Sequence, residues 1–268
     1  MRTYSRAVPA LRRLAHRAIQ ATVAGFNRNP WTGEVLELVP RSVAPIYTHD
    51  GLRTAHNHTF IDAPDFQRAY RRGVQAAGWD YEIYWRVHVI LWAAGTAQTV
   101  PGAFVECGTG RGFMASAICE NIGWDHRPFY LFDTFQPGSV SPGSDERHAT
   151  SSPYYAHGSE GVRENFREWA GVRLVVGTVP DSLAQVDVGS VAFLHIDMND
   201  PGPEAAALRH FWPSLSPGAV VVLDDYAYQG FEASHRSANV VASELGVSIV
   251  SLPTGQGLTI KPFEAPVA

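Results

Sequence analysis

"FVECGTGRG", residues 104–112, carries an apolar run through an acid into three alternating glycines. The run reads as a strand covered on both faces, and residues 112–123 continue at helical spacing. Glycines at 108, 110 and 112 admit positive φ and let a ligand approach the backbone without meeting a Cβ. The helix that follows offers unpaired N–H groups and a positive dipole end. A purely structural strand-to-helix turn would use the same glycines, so the rest of the chain must decide between the two readings.

Downstream, short β-branched or aromatic runs recur: "AFVEC", "FYLFD", "RLVVG", "VAFLHID", "AVVVLDD", "VSIVSLP" and "GLTIKP". Helical stretches near 112–123, 159–169, 181–186, 203–212 and 231–245 separate the first six, which predicts a parallel sheet wound with helices on both faces. The last two runs are joined by Pro-Thr-Gly-Gln-Gly, too short for a crossover helix, so the final strand must return as an antiparallel hairpin. The expected fold is α/β, a Rossmann-like sheet of seven strands, mostly parallel.

Before Pro101 helical patterns dominate. "YEIYWRVHVILWAAG" (81–95) places Tyr84, Val87 and Leu91 on one stripe, with Asp80 as a candidate cap and Gly95 as a candidate stop. "RNPWTGEVLELVP" and "THDGLRTAHNHTF" read as irregular connections. The predicted organisation is a helical extension over 1–100 and a catalytic α/β domain over 101–268. Residues 136–161 form a polar insertion, either a lid or a solvated loop, in which His148, Tyr154, Tyr155 and His157 are the lid candidates.

The 268 residues are 45% apolar with a net charge of -5, a pI near 6.1 and a mean hydropathy of -0.11. This balance fits a soluble protein and argues against nucleic acid as a main partner. Residues 1–30 are locally basic, with Arg2, Arg6, Arg12, Arg13, Arg17 and Arg28 and no acid. That segment is either a solvated or self-packing helix face or a membrane-surface helix. No stretch has the ~20 apolar residues of a membrane span. Two cysteines, Cys107 and Cys119, make neither a disulfide framework nor a metal pattern, which points to a reducing, cytoplasmic setting. The sequence leaves a homo-oligomer open.

The spacing of the turn is G-x-G-x-G, whereas the dinucleotide fingerprint places its third glycine one residue later, over a pyrophosphate. Glu106, two residues before the first glycine, would repel a pyrophosphate but suits an ammonium group. Asp133, ending "LFDTF", is placed to accept ribose hydroxyls; the alternative is that it only opens the next loop. Glu106, Gly108, Thr109, Gly110, Gly112 and Asp133 together describe a pocket for a phosphate-free nucleoside with an amino-acid tail, S-adenosylmethionine.

"VAFLHIDMND" and "PGAVVVLDDYAY" end two further strands in Asp197, Asp224 and Asp225. Neighbouring strand tips lie ~4.8 Å apart, so three unpaired carboxylates there would converge, and a hard dication such as Mg²⁺ would relieve their repulsion. Helix capping is the competing explanation, and it is the preferred one for Asn199, Asp200 and Asp181. His88, on the apolar helix, reads as a core group. Tyr226 and Tyr228 either border an acceptor pocket or pack.

"FVECGTGRG", "LFDTFQ", "GTVPDSL", "LHIDMND" and "PGAVVVLDDY" stand in the order and spacing of the macrocin-type sugar O-methyltransferases, the TylF/MycF family, which the chain resembles over about 80–262. The resemblance implies the class I methyltransferase fold, S-adenosylmethionine as donor, Mg²⁺ at the acidic tips and a sugar hydroxyl of a natural product or glycoconjugate as acceptor. It also implies Glu106, Gly108, Gly110 and Gly112 at the donor's methionine end, Asp133 at its ribose, Asp197, Asp224 and Asp225 on the metal, and Asp197 as base. Two places depart from the family pattern: Asn199 stands for its second strand-end acid and Pro201 for its tyrosine, and Ala227 replaces its histidine. A metal-dependent methyltransferase of phenols or catechols, an NAD-dependent oxidoreductase and a non-enzymatic partner subunit are the competing readings.

Overall fold

The computed structural model describes residues 46–124, 127–136 and 158–263, and the fold set out below belongs to the unit Tyr47–Ala268. The basic segment 1–30 and the lid candidates His148, Tyr154, Tyr155 and His157 lie outside the described residues. A two-stranded hairpin comes first, β1 (Tyr47–His49) and β2 (Leu52–Thr54). Sequence alone treats this stretch as irregular, because strands of three residues show no alternation. Helix α1 (Pro64–Ala77) has proline in its first turn and ends on Gly78 in the left-handed conformation. It buries Phe66, Ala69, Tyr70, Gly73, Ala76 and Ala77 along one stripe.

Helix α2 (Tyr84–Ala97) differs at both ends from its predicted bounds. Asp80 does not cap it; its carboxylate accepts from the Tyr70 hydroxyl at 2.5 Å and the Glu82 amide at 2.8 Å. Gly95 does not stop it, since one glycine inside a helix costs only ~1 kcal/mol.

Then follow β3 (Ala103–Cys107), α3 (Phe113–Ile122), β4 (Phe129–Asp133), α4 (Gly158–Asn165), β5 (Val172–Val176), β6 (Val191–Ile196), α5 (Pro201–Phe211), β7 (Leu215–Leu223), α6 (Glu232–Glu244), β8 (Val250–Ser251) and β9 (Gly257–Ile260). The predicted helix near 181–186 is a 3-10 turn, Asp181–Gln185. Among the described residues seven strands form one sheet in the order β5-β4-β3-β6-β7-β9-β8. The first five are parallel, and β9 pairs antiparallel with β7 and β8. This is the α/β sheet with a reversed C-terminal hairpin that the strand spacing predicts. Strand order reverses between β3 and β6, the place where open α/β sheets bind ligands beyond their carboxyl ends.

Period-two alternation divides the core. Phe104, Phe129, Leu131, Phe193, Val220 and Val222 face the layer of α1, α2 and α3. Val105, Phe132, Leu194, Ile196, Val221 and Leu223 face α5 and α6. Truncating a fully buried phenylalanine such as Phe104 or Phe193 to alanine costs ~3–5 kcal/mol. Counting on by twos from the first group reaches Glu106, His195 and Asp224. The ionisable strand ends therefore emerge on the face that α2 covers, with α2 packed against β6 and β7. Among the described residues no helix is long and apolar enough to cross a membrane.

Candidate active site

The glycine turn is clamped from three strands. The Gly108 amide donates to Phe132 O and the Asp197 amide to Cys107 O, each at 2.8 Å. Gly108 has φ 91°, and a Cβ there would lie 1.8 Å from the Asp197 carbonyl oxygen, so only glycine lets these tips close. Asp133 holds the turn from the other side. Its Oδ2 accepts from the Gly110 amide at 2.8 Å and its Oδ1 from the Phe135 amide at 2.7 Å.

Gly112 is the N-cap of α3 and provides no side-chain cap, which leaves first-turn N–H groups for a ligand. Beside the turn, Glu106 Oε2 and Thr109 Oγ1 are buried and make no hydrogen bond of good geometry, although the Thr109 hydroxyl is near enough to help hold the Glu106 pKa down. Buried polar groups are normally paired. A carboxylate oxygen beside a bare glycine turn is the kind of group that can receive an ammonium-bearing ligand.

Glu106 is not free to serve only a ligand. It is 1% exposed, and its Oε1 lies 2.9 Å from His195 Nδ1 on the paired strand. His195 Nε2 lies 3.7 Å from Asp224 Oδ1, an ion-pair rather than a hydrogen-bond distance. Burial opposes a charge on His195, but Asp224 and Glu106 outweigh it and raise its pKa to about 10. Burial likewise raises Glu106, against the pull of His195.

The acidic tips meet an arginine. Arg86 Nη1 donates to Asp224 Oδ2 at 2.5 Å and Asp225 Oδ1 at 2.9 Å, and Arg86 Nε to Asp50 Oδ2 at 2.8 Å. The Tyr228 ring lies against the guanidinium, 4.4 Å from its centroid. Gly255 makes room for that ring: it has φ 86°, and a Cβ there would meet Tyr228 Cδ2 at 2.7 Å. Gln256 Nε2 donates to Asp224 Oδ1 at 2.8 Å. Burial works against the Asp224 charge, yet Arg86 and His195 hold it well below the usual carboxylate range. Burial and Asp224 push Asp225 up to about 6, against Arg86.

Two of the three carboxylates that the sequence expectation left unpaired, Asp224 and Asp225, are paired in the structure. Both oxygens of Asp224 and one of Asp225 are already bonded within the protein, whereas Mg²⁺, even when it keeps most of its waters, needs one or two carboxylates free to coordinate it. Among the described residues no group of three His, Cys, Asp or Glu is arranged to hold an ion. Asp197, Asp224 and Asp225 in this arrangement do not fit Mg²⁺. Asp197 stands apart: its carboxyl takes no hydrogen bond from a described residue, and burial with the Asp224 and Asp225 charges raises its pKa well above the usual range.

The sequence profile described as Macrocin-O-methyltransferase (TylF) matches residues 91–245, more than half of the chain. The chain belongs to the TylF family. Over 146 residues it is 31% identical to the 8-demethyl-8-(2,3-dimethoxy-alpha-L-rhamnosyl)-tetracenomycin-C 4'-O-methyltransferase of Streptomyces olivaceus. That match takes in 49% of this chain and 55% of the relative, so the TylF-family chain spans about half the length of the curated relative. The solved O-methyltransferase NovP is similar at TM-score 0.57 and 21% identity, over 72% of this chain and 89% of that one. A Bacillus cereus O-methyltransferase in complex with SAH is similar at TM-score 0.51 and 14% identity, over 76% and 94%. At these identities the two structures speak for the class I methyltransferase fold.

Against the TylF pattern, Asn199 adopts φ 57° and Asp200 caps α5 by accepting from the Gly202 amide at 3.0 Å. His88 stacks on Phe60 at 3.9 Å, the packing role read from sequence. Tyr226 packs, with its hydroxyl on Asn239 at 2.9 Å. Sequence reasoning missed Arg86, Asp50, His195 and Gln256. The available signals were a charged residue inside an apolar helix and a histidine inside a fully apolar strand.

Proposed function

We propose that this chain is an S-adenosylmethionine-dependent O-methyltransferase whose acceptor is a sugar hydroxyl of a natural product or glycoconjugate. The observation that carries it is the juxtaposition of the Asp133-closed glycine turn with the unbonded Asp197 carboxyl, which directly follows β6, the strand paired with β3. Membership of the TylF family and the rhamnosyl 4'-O-methyltransferase relative support the sugar as acceptor. Residues 101–268 carry this site together with α2.

Glu106, Gly108, Thr109, Gly110, Gly112 and Asp133 hold the donor in this reading. Glu106 Oε2 takes the donor's ammonium group, and Asp133 keeps acceptor capacity for ribose hydroxyls beyond its two backbone bonds. When bound, S-adenosylmethionine supplies a methyl group on a positive sulfonium, and the sulfur keeps the C–S electron pair as the methyl passes to the acceptor oxygen. Asp197 takes the hydroxyl proton, for which its raised proton affinity suits it. Alignment of the two reactants contributes on the order of 7–11 kcal/mol. The magnesium implied by the family resemblance has no part in this proposal, because the acidic tips are already engaged.

The test is incubation of the purified chain with isotopically labelled donor and parallel panels of deoxysugar glycosides and catechols, read by mass spectrometry. Methylation at a sugar oxygen is expected. Label on catechol alone would overturn the sugar acceptor, and tight NADH binding without donor binding would overturn the methyltransferase.

A further inference from the structure

We propose that Arg86 is the resident cation of this site and excludes a divalent metal from the carboxyl ends of β6 and β7. The guanidinium sits inside the acidic cluster, with Asp224 and Asp225 on Nη1 and Asp50 on Nε. The side chains of Arg86, Asp224 and Asp225 are only 7%, 6% and 8% exposed, so water does not compete for these bonds. The other side of Asp224 faces Gln256 and His195. A dication bound to the same oxygens would stand within a few ångströms of a fixed positive group, and like charges at that range in a buried setting repel strongly.

The position of Arg86 is fixed from below and above. Its neighbours on α2, Val87, Ile90, Leu91 and Ala94, are all buried in the core. Tyr228 closes over the planar group, a contact suited to a guanidinium. Asp50 reaches it from the turn between β1 and β2. This arginine is therefore built in by three separate parts of the fold, the hairpin, α2 and the β7 tip with its following tyrosine.

The substitution changes the chemistry on offer. A hard dication coordinates oxygen ligands directly and chelates neighbouring hydroxyls. A guanidinium has no coordination sites and offers only N–H donors in one plane. Arg86 thus balances Asp224 and Asp225 and holds the cluster beside Asp197, and the acceptor need not present two adjacent hydroxyls. This last consequence rests on the O-methyltransferase reading; the metal exclusion does not.

Electron paramagnetic resonance of Mn²⁺ titrated into the metal-stripped full chain tests the exclusion without any turnover. The free-ion signal should persist to about 1 mM, the weak end of carboxylate calcium sites, and the melting temperature should be the same with Mn²⁺ and with EDTA. Arg86→Gln, if its circular dichroism is native, should gain a Mn²⁺ site that the added change Asp224→Asn removes. Stoichiometric Mn²⁺ binding by the wild-type chain that Asp224→Asn abolishes would overturn the proposal, whatever Arg86→Gln does. Stoichiometric wild-type binding that survives Asp224→Asn but is abolished by Asp197→Asn or Asp225→Asn would overturn it as well, since those carboxylates stand at the same strand ends. Loss of methyl transfer with all glycosides, with Mn²⁺ still excluded, would count against the function and not against Arg86.

Discussion

Glu106 and His195 face each other across paired parallel strands, Oε1 and Nδ1 2.9 Å apart, with both side chains buried. A carboxylate and an imidazole in that setting favour the charged ring. The pKa of His195 rises from 6.5 to about 10, so folding binds this proton more tightly than the unfolded chain does. The resulting stability is fully present below pH 6.5 and is lost as pH climbs through about 10. Urea unfolding of wild type and His195→Gln across that window should show a stability gap of about 3–5 kcal/mol at the lower end, narrowing as pH rises. A gap that stays constant across the window would remove the charge from His195.

Gly108→Ala places a Cβ where the Asp197 carbonyl oxygen stands, at 1.8 Å, and no flexible side chain is there to give way. The strand tips must part. Donor binding by calorimetry should be lost or fall by at least tenfold, with a lower melting temperature. Unchanged affinity would show that the turn opens on binding.

Asp133→Ala removes the acceptor of the Gly110 and Phe135 amides and, in the proposed function, of the ribose hydroxyls. Loss of charge-assisted bonds worth ~1.5–3 kcal/mol corresponds to roughly a 10- to 150-fold rise in the Kd for S-adenosylhomocysteine. Asp133→Asn, which keeps one oxygen, should lose less. Equal affinity in all three proteins would place the donor away from this carboxylate.

Asp197→Asn keeps the shape of the side chain but cannot accept the acceptor's proton. Turnover should fall by about 10²–10⁴-fold, the usual worth of a positioned base, while donor affinity holds. Full turnover in this variant would assign the proton to another group.

Much of the fold was legible because the buried strands of the parallel sheet are short, apolar and bounded by glycine or acid, as in "FYLFD" and "AVVVLDD". The return of β9 was legible from Pro-Thr-Gly-Gln-Gly alone. What escaped was long-range pairing of charge. Arg86 lies in "YWRVHVILW", where periodicity reports a buried helix and says nothing about which strand tip its head will reach. His195 lies in "VAFLHID", and a period of two puts it on the face of Glu106 only once the register of β3 and β6 is known. The carboxylates at 197, 224 and 225 were legible as a cluster. The cation among them was not, because it comes from 138 residues earlier in the chain.

That separation gives α2 a role in assembly. Asp224 and Asp225 acquire their arginine partner only when β7 packs against a helix that precedes the sheet in the chain, and Asp50 comes from still farther upstream. A fragment beginning at Pro101 would keep every glycine of the turn and every strand of the sheet, yet leave Asp224 to His195 and Gln256, and Asp225 without the guanidinium that pairs it. Cutting the chain where its sequence pattern changes would thus separate the acidic strand tips from the arginine that pairs with them.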